Sequence, residues 1–378
     1  MKKLRVLSLC DGGSGAYLAF KELGIDIEYH AVEIDKHARA IADSNIPNII
    51  RWENDVTKIT KSDIEFHGPF DWITFGSPCQ SLSVAGNGKG LLGKSGILFN
   101  CIDVLNWCRE INPEIKFLIE NVKMKQEFLD QFDMVVGDCN RILINSSLVS
   151  AQKRERYYWT NFKVEQPEDT EEFVYQILEE DFNSDLKFSP KDIFRITESR
   201  ICWSPTKIGK ESIQNRAYSV YGKSPSLVSG NPKNKCNIFQ FSPEKHGEMT
   251  LKEYLKSSNI SEMAIAYSSS TRENKRIEQR ANLNGKANTL TTGDGCCGGL
   301  KSANMVASSL DSEIIFRRLT VRECARLQKF PEWYKFSASS KTQSYKLIGN
   351  GWCISVISHI LKYGLGLLKA EELGEDLL

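Results

Sequence analysis

The chain has 378 residues, a length typical of two or three domains. Apolar residues make up 41% of it and charged residues 26%, so it can bury a core and is neither a disordered chain nor a disulfide-stapled miniprotein. Because 49 Lys and Arg residues stand against 48 Asp and Glu residues, the net charge of +1 excludes a polycation, and any surface for nucleic acid must be local.

The cysteines and the N-terminus give expectations about the compartment. Eleven cysteines are scattered without a C-x-x-C pair, which argues against zinc and favours a reduced, cytoplasmic setting. The start of the chain resembles a lipoprotein signal, but Arg5 interrupts its apolar run and Asp11 ends it. No stretch reaches the roughly 20 apolar residues of a membrane span. We therefore expect no metal site and no membrane partner.

The first elements predict an α/β fold. Residues 4–9 form a predicted strand that enters the glycine-rich turn 11–15, and a predicted helix follows to about Leu23. A second predicted strand begins near Tyr29 and ends just before Glu33. Strand, glycine turn, helix, strand and acidic residue is the order in which a doubly wound α/β domain begins.

Later segments continue this pattern. Residues 70–75 predict a buried strand that ends shortly before Cys79. Apolar residues near helical spacing predict a helix that ends at Asn112. Residues 117–119 predict another buried strand, which runs into Glu120. Alternating strands and helices of this kind predict one α/β unit over residues 1 to about 162.

Composition divides the chain into two parts. Residues 163–192 hold ten acidic and three basic residues, whereas residues 200–235 hold seven basic residues and one acidic residue. A solvated acidic connector followed by a basic module indicates a domain boundary. We therefore predict one α/β domain made of residues 1–162 plus 341–378, and a smaller, loop-rich domain of residues 163–340.

Two segments of the loop-rich region resemble each other. Residues 216–230 and 280–293 share an Arg-Ala start and a Gly-Lys turn, at an offset of about 64 residues. Our interpretation is duplication of a small loop and strand, with coincidence in a low-diversity sequence as the alternative.

The C-terminal part predicts two helices. Thr320 and Glu323 form a predicted capping box that opens one helix, which Pro331 ends. A last helix, from about Trp352 to Leu367, is apolar enough to pack on the sheet.

Two acidic residues follow predicted strands. Glu33 lies 20 residues after Gly13, where an acid would accept hydrogen bonds from a ribose, and Asp55 offers a second acid at the same sheet edge. The turn lacks the third glycine of a dinucleotide motif, and no lysine is placed to hold phosphates. A nucleoside without phosphates therefore suits this edge better than NAD or FAD, although many such turns bind nothing.

Four further residues could carry chemistry. Cys79 follows a strand and a proline at the same edge, but a single cysteine is more often a small core residue. A cysteine protease would need a partner histidine, and none of the five histidines has a suggestive setting. Glu120, at another strand end, could act in catalysis or cap a helix. Arg154 and Arg156, two residues apart on a strand, would share a face and meet carboxylates or phosphates.

Taken in order, these motifs resemble those of the DNA (cytosine-5) methyltransferase family, of the bacterial and phage type, with some resemblance to its animal de novo branch. The match spans nearly the whole chain. It consists of the turn 10–15, Glu33, Asp55, Pro78-Cys79-Gln80, Glu120-Asn121-Val122, Gln152-x-Arg154-x-Arg156, the run from Arg318 to Pro331, and Gly349-Asn350.

The resemblance implies a Rossmann-like S-adenosylmethionine-dependent methyltransferase domain, with the second domain recognising the target in double-stranded DNA. The implied catalytic residues are Cys79, Glu120, Arg154 and Arg156. The implied cofactor-binding residues are Cys10, Asp11, Gly12, Gly13, Gly15, Glu33, Ile34, Asp55, Val56, Pro78, Asn350, Gly351 and Trp352. The implied DNA-binding residues are Gln80, Ser81, Ser83, Lys89, Gln152, Arg216, Lys223, Arg280, Lys286, Thr289 and Leu290.

By analogy, Cys79 would add to C6 of a flipped-out cytosine, Glu120 would hold or protonate N3, and Arg156 would hold O2. The chain departs from the common pattern at Cys10, where many relatives have Phe, and at Gly351-Trp352, where Ser-Val is common. A transfer-RNA cytosine methyltransferase and a non-catalytic regulator stay as alternatives. We expect a monomer, and a cognate restriction endonuclease stays open as a partner.

Overall fold

The structure, a computed structural model, describes both ends of the chain and short strands between them. The described residues are 3–77, 96–180, 195–197, 200–202, 216–219, 223–224, 237–240, 266–270, 277–281 and 315–369. Between 181 and 318, side chains are described only for residues 223–224. The chain divides into two compact units, one of Met1–Glu171 with Ala325–Leu378 and one of Glu172–Cys324.

A seven-stranded sheet organises the first unit. Its strands are β1 Leu4–Leu9, β2 Ile27–Val32, β3 Ile50–Arg51, β4 Trp72–Gly76, β5 Lys116–Val122, β6 Asn140–Asn145 and β7 Glu155–Thr160. They lie in the order β3-β2-β1-β4-β5-β7-β6. The first five pair in parallel, whereas β7 runs antiparallel to both β5 and β6. The predicted α/β fold is confirmed, with a reversed strand that the sequence patterns do not show.

Eight α-helices are described. Their bounds are α1 Gly15–Glu22, α2 Lys36–Asn45, α3 Lys61–His67, α4 Gly96–Ile111, α5 Gln126–Val136, α6 Val321–Leu327, α7 Lys341–Asn350 and α8 Ile354–Gly364. Single 3₁₀ turns occupy Val56–Lys58, Ser146–Leu148 and Val174–Ile177. None of the helices in the described ranges is long and apolar enough to cross a membrane.

One face of the sheet carries the main core of the first unit. Alternate residues of β1, β4 and β5 meet the apolar sides of α4 and α5, since side chains of a strand alternate between its faces. The cluster includes Leu7, Leu9, Ile73, Phe75, Leu98, Cys101, Leu105, Phe117, Ile119, Leu129 and Phe132. Burial of each large side chain is worth about 1.5–3 kcal/mol, so this layer holds the central strands in place.

The C-terminal helix covers the opposite face. In α8, the Ser358 hydroxyl donates to the Glu22 carboxylate of α1 at 2.5 Å. A Cβ atom on Gly364 would lie 2.3 Å from the Trp72 ring, so α8 packs directly on β4. The predicted last helix is therefore confirmed, although it begins at Ile354 because Cys353 before it has extended backbone.

The predicted capping box is also confirmed. The Thr320 N–H donates to the Glu323 carboxylate at 2.8 Å, and the Glu323 N–H donates to the Thr320 hydroxyl at 3.0 Å. These two reciprocal bonds satisfy donors that the first turn of α6 would otherwise leave without partners.

Seven short strands are described in the second unit. They are β8 Arg195–Thr197, β9 Arg200–Cys202, β10 Arg216–Ser219, β11 Asn237–Gln240, β12 Ala266–Ser270, β13 Ile277–Ala281 and β14 Ile315–Arg318. Five form a sheet in the order β14-β11-β10-β9-β8, and β12 and β13 form a separate two-stranded pair among the described strands. Arg216-Ala217 begins β10, whereas Arg280-Ala281 ends β13. Both Arg-Ala pairs thus lie in strands, the rest of the second segment lies outside the described residues, and duplication stays an interpretation.

Candidate active site

The site residues of the first unit gather at one edge of the sheet, where β1, β2, β4 and β5 end and β7 begins. The carboxyl ends of parallel strands are where α/β domains bind their ligands. The edge has two halves, which we name after the roles that the resemblance implies. The cofactor half lies after β1 and β2 and contains the turn 11–15 and Glu33. The base half, named after the target cytosine base, lies after β4 and β5 and contains Glu120 and Arg156.

The Asp11 carboxylate holds the glycine turn of the cofactor half together. It accepts hydrogen bonds from the hydroxyls of Tyr29 (2.5 Å) and Ser14 (2.6 Å), and it forms an ion pair with Arg51 (3.1 Å). Its side chain has no exposed surface. In this geometry the carboxylate organises the turn, so a cofactor contact by this residue would come from its backbone.

The backbone of this turn is unusual. Gly12 has φ +56°, and the non-glycine residues Cys10 and Ser14 have φ values of 51° and 58°. Positive φ is unfavourable for residues with a Cβ, and such strain persists where surrounding contacts enforce it. The Tyr334 hydroxyl, which donates to the Gly13 carbonyl at 3.0 Å, is one of those contacts.

Glu33 is fixed by two backbone donors. The Gly12 N–H donates to Oε2 and the Asp35 N–H to Oε1, both at 2.7 Å. Burial raises the pKa of the Glu33 carboxyl above its ordinary value of 4.5, and the two N–H groups oppose that rise. Ile34, the next residue, is 68% exposed beside it. The carboxylate keeps lone pairs for further donors, and an apolar side chain stands free at its side.

The second predicted acid lies at the end of the next connection. The Asp55 carboxylate caps a 3₁₀ turn by accepting from the N–H (3.0 Å) and hydroxyl (2.8 Å) of Thr57. These bonds lower the pKa of the Asp55 carboxyl. Both bonds use Oδ1, which leaves Oδ2 for another donor. Val56, by contrast, is buried in the core.

In the base half, β4 ends at a hydrogen-bonded pair. The buried Asn121 side chain donates to the Ser77 hydroxyl at 3.1 Å. Ser77 is the last described residue before Cys79 in the chain. The predicted residues Pro78, Cys79, Gln80, Ser81, Ser83 and Lys89 lie outside the described residues.

Glu120 and Arg156 are brought together by the pairing of β5 with β7. In this register Glu120 lies opposite Tyr158, and Val122 lies opposite Arg156. The side chains of Glu120 and Arg156 are therefore diagonal neighbours on one face of the sheet. The Arg156 Nε donates to the Glu120 Oε1 at 2.9 Å, and both side chains are mostly buried. The predicted carboxylate and guanidinium therefore form one unit at this edge.

Arg154 has different partners from Arg156. It is only 4% exposed, and its guanidinium donates to the carbonyls of Gly349 (3.3 Å) and Gly351 (3.0 Å). Burial lowers the pKa of Arg154 to about 10, and the neighbouring Arg156 adds to this effect. Gln152, predicted to contact DNA, is fully buried in this structure.

Trp352 lies between the two halves of the edge. Its position is clear from two glycines nearby, at which an added Cβ atom would come close to the Trp352 side chain. The one on Gly15 would be 3.6 Å from the Trp352 Cβ, and the one on Gly76 would be 2.8 Å from its Nε1 and 3.0 Å from the Glu120 Oε2. Gly76 therefore leaves room for the indole and the carboxylate at the end of β4. Asn350 ends α7 beside it and is exposed.

Sequence reasoning missed several residues that shape the site, among them Arg51, Asn121, Gln328 and Tyr334. Asn121 and Gln328 belong to the matching motifs, and that signal could have identified them. Gln328 is fully buried and donates to the Ile348 carbonyl at 3.0 Å. No local pattern marks Arg51 or Tyr334, because their partners in the turn, Asp11 and Gly13, lie 40 and 321 residues away in sequence.

Few of the predicted DNA-binding residues of the second unit can be placed. The Lys223 Nζ lies 5.0 Å above the centre of the Phe173 ring. Arg216 and Arg280 lie in β10 and β13, of which only the backbone is described. The predicted residues Lys286, Thr289 and Leu290 lie outside the described residues.

The chain is similar in sequence to known DNA methyltransferases over most of its length. The sequence pattern of the family described as C-5 cytosine-specific DNA methylase matches residues 4–363. The Type II methyltransferase M.NgoPII of Neisseria gonorrhoeae is 26% identical, over 92% of this chain and 91% of that protein. The Type II methyltransferase M.FnuDI of Fusobacterium nucleatum is 27% identical, over 92% and 90%.

A solved structure supports the fold. The crystal structure of a Spodoptera frugiperda DNMT2 mutant superposes with a TM-score of 0.59 at 18% identity, covering 96% of this chain and 100% of that chain. The Rossmann-like methyltransferase fold predicted from the sequence is thereby confirmed. Since the family pattern covers nearly the whole chain, the protein belongs to the C-5 cytosine-specific DNA methylase family and is a DNA (cytosine-5-)-methyltransferase.

Proposed function

We propose that this enzyme transfers the methyl group of S-adenosylmethionine to C5 of a cytosine within a specific sequence of double-stranded DNA, through a covalent bond between Cys79 and C6. The observation that carries the proposal is the Glu120–Arg156 ion pair, because Glu120 lies opposite Gly76, three residues before Cys79 in the chain. The family membership of the chain supports the reaction class.

The chemistry explains why these residue types are needed. C5 of cytosine is too electron-poor to attack a methyl donor unaided. A thiolate that adds to C6 turns the ring into an enamine-like nucleophile at C5, and Cys79 would supply it. Negative charge that develops on the ring would be neutralised by a proton that Glu120 delivers to N3 and stabilised by Arg156 at O2, in the manner of an oxyanion hole. After methyl transfer, a base such as water would take up the C5 proton, the C5=C6 double bond would re-form, and Cys79 would leave as a thiolate.

The cofactor half suits S-adenosylmethionine. Glu33 would accept hydrogen bonds from the ribose hydroxyls, the free oxygen of Asp55 would accept from the adenine amino group, and exposed Ile34 would contact the adenine ring. The turn 10–15 and Asn350 would hold the amino-acid end. When bound, this cofactor supplies an electrophilic methyl group on a sulfonium.

The target cytosine would have to leave the duplex to reach Cys79, because its ring is inaccessible within stacked DNA. The second unit would recognise the sequence, with Lys and Arg on phosphates and a few side chains on base edges. Its predicted contacts are Arg216, Lys223, Arg280, Lys286, Thr289 and Leu290. The predicted extent of this recognition domain is 163–340.

We also propose a monomer in a reducing cytoplasm. None of the cysteine side chains that the structure describes forms a disulfide, which supports a reducing setting. Two relatives are named Type II methyltransferases, which supports a cognate restriction endonuclease as a partner.

Transfer of a radiolabelled methyl group tests the proposal. Purified protein would be incubated with labelled S-adenosylmethionine and one of three acceptors: mixed-sequence duplex DNA, a duplex of A·T pairs only, or transfer RNA. We expect label in the mixed duplex alone, and a denaturation-resistant adduct with a duplex containing 5-fluorocytosine, since fluorine blocks release of Cys79. Cys79→Ala should lose both signals. Label in transfer RNA alone would contradict the proposal.

A further inference from the structure

The buried guanidinium of Arg154 connects the strand of the base half to the C-terminal loop 349–352. Its Nη1 donates to the Gly349 carbonyl and its Nη2 to the Gly351 carbonyl. The Gly351 carbonyl also lies 3.4 Å from the amide nitrogen of Gln328, a residue without exposed surface. Two buried donors thus hold the same peptide from inside the protein.

The orientation of that peptide has a consequence for Trp352. In a planar trans peptide the C=O and N–H bonds point in opposite directions. Because the Gly351 carbonyl points toward Arg154, the N–H of Trp352 in the same peptide points away from Arg154. Within the part of the chain that the structure describes, this N–H donates to no acceptor. Its residue packs against Gly15, in the turn of the cofactor half.

We propose that Arg154 is a positioning residue for the cofactor: it holds the Gly351–Trp352 peptide so that the Trp352 N–H is presented to the amino-acid end of S-adenosylmethionine. The ligand chemistry that suits such an N–H is a carboxylate. This inference rests on the proposed function, and it gives Arg154 a different task from Arg156, which pairs with Glu120.

A guanidinium suits this task better than an ammonium. Its planar fork can donate to two carbonyls at once, whereas a lysine presents a single point of charge. With a pKa of about 10, Arg154 stays charged at neutral pH, so its bonds are charge-assisted and strong. Loss of one such bond corresponds to a factor of about ten in an equilibrium that depends on it.

Binding of S-adenosylhomocysteine without DNA, measured by titration calorimetry, tests the inference. We would compare the wild type with Arg154→Met, Arg154→Lys and the matched control Arg156→Met, which removes the same charge two residues away. We expect Arg154→Met to raise Kd by about tenfold and Arg154→Lys to raise it by about threefold. Arg156→Met should keep Kd within about twofold while methyl transfer falls.

Two results would overturn the inference. One is a Kd for Arg154→Met within twofold of the wild type. The other is an equal loss of affinity in Arg156→Met. A merely structural role would lower the binding stoichiometry, through a smaller folded fraction, and leave Kd unchanged. If Arg154→Met does not fold, the test rests on Arg154→Lys: a Kd raised about threefold supports the inference, and a Kd equal to that of the wild type contradicts it. A wild type that binds S-adenosylhomocysteine but methylates no DNA would contradict the proposed function and leave this comparison valid.

Discussion

The two halves of the active-site edge hold their carboxylates by different means. In the cofactor half, Glu33 accepts hydrogen bonds from two backbone N–H groups, and Asp55 accepts one from the backbone N–H of Thr57. In the base half, Glu120 is held by one side-chain pair with Arg156. Backbone donors are set by the fold itself, whereas a side-chain pair can exchange partners. The cofactor half is thus built before any ligand arrives, and the base half can take up a base.

This difference predicts that variants in the base half change methyl transfer, and that variants in the cofactor half change affinity for S-adenosylhomocysteine. A variant at the boundary should change both.

Glu120→Gln should lower the rate of methyl transfer by about 10² to 10⁴ fold, because an amide can neither supply a proton nor form the charged pair with Arg156. Single-turnover transfer would measure the rate, and calorimetry should find unchanged S-adenosylhomocysteine affinity. Glu155→Gln is the matched control, since this carboxylate pairs with Lys123 at the surface. A rate for Glu120→Gln above a tenth of the wild type would contradict the assignment.

Gly76→Ala should lower methyl transfer by about tenfold and weaken cofactor binding as well. The new methyl group would stand 2.8 Å from the Trp352 Nε1 and 3.0 Å from the Glu120 Oε2. Overpacking of this kind costs about 1–3 kcal/mol. Gly96→Ala is the control, since no atom of the described residues lies within 4 Å of its added methyl. If Gly76→Ala and Gly96→Ala had equal methyl-transfer rates and equal cofactor affinities, the expectation that Gly76 affects both halves of the edge would be wrong.

Glu33→Gln should raise the Kd of S-adenosylhomocysteine by about tenfold, because one acceptor oxygen becomes an NH₂ that faces a backbone N–H donor. The rate at saturating cofactor should stay within about twofold of the wild type. Calorimetry and saturation kinetics would measure the two quantities. Glu53→Gln, at an exposed position, is the control. A change in rate without a change in Kd would contradict the division of roles.

Acidification should weaken cofactor binding by several-fold at a pH above that expected for an ordinary glutamate. Burial raises the pKa of Glu33 above 4.5, so this carboxylate gains its proton early as pH falls and then accepts ribose hydroxyls less well. For the ligand-free protein the sign is opposite: a raised folded pKa means that the Glu33 contribution to unfolding free energy increases as pH falls through that interval. Calorimetry between pH 7.5 and about 5 should show the loss in the wild type and not in Glu33→Gln. The same pH dependence in both proteins would exclude Glu33 as its source.

The sequence predicts those parts of the fold that depend on local pattern. The opening strand, glycine turn, helix and second strand follow from apolar periodicity and glycine placement, and the Thr320–Glu323 capping box follows from a four-residue motif. The reversal of β7 does not, since strand direction depends on pairing between β5, β6 and β7 that no local pattern encodes.

The same limit applies to single residues of the site. Arg154 and Arg156 are the same residue type two positions apart, yet the partners of Arg154 come about 195 residues later in the chain. Asp11 reads as a cofactor contact in the sequence, whereas its hydrogen-bond partner Tyr29 and ion-pair partner Arg51 lie 18 and 40 residues away. Residue types at strand ends predict where a site lies, and long-range contacts decide what each residue does.

We propose that this chain methylates cytosine in a specific DNA sequence with Cys79 as the nucleophile. The most direct test is base-resolution sequencing of 5-methylcytosine in DNA from a methylation-free bacterial host that expresses the protein. We expect methylation at one short motif with the wild type, and none with Cys79→Ala at equal protein level. Unmethylated DNA in the presence of folded wild type, or methylation that persists in Cys79→Ala, would contradict it.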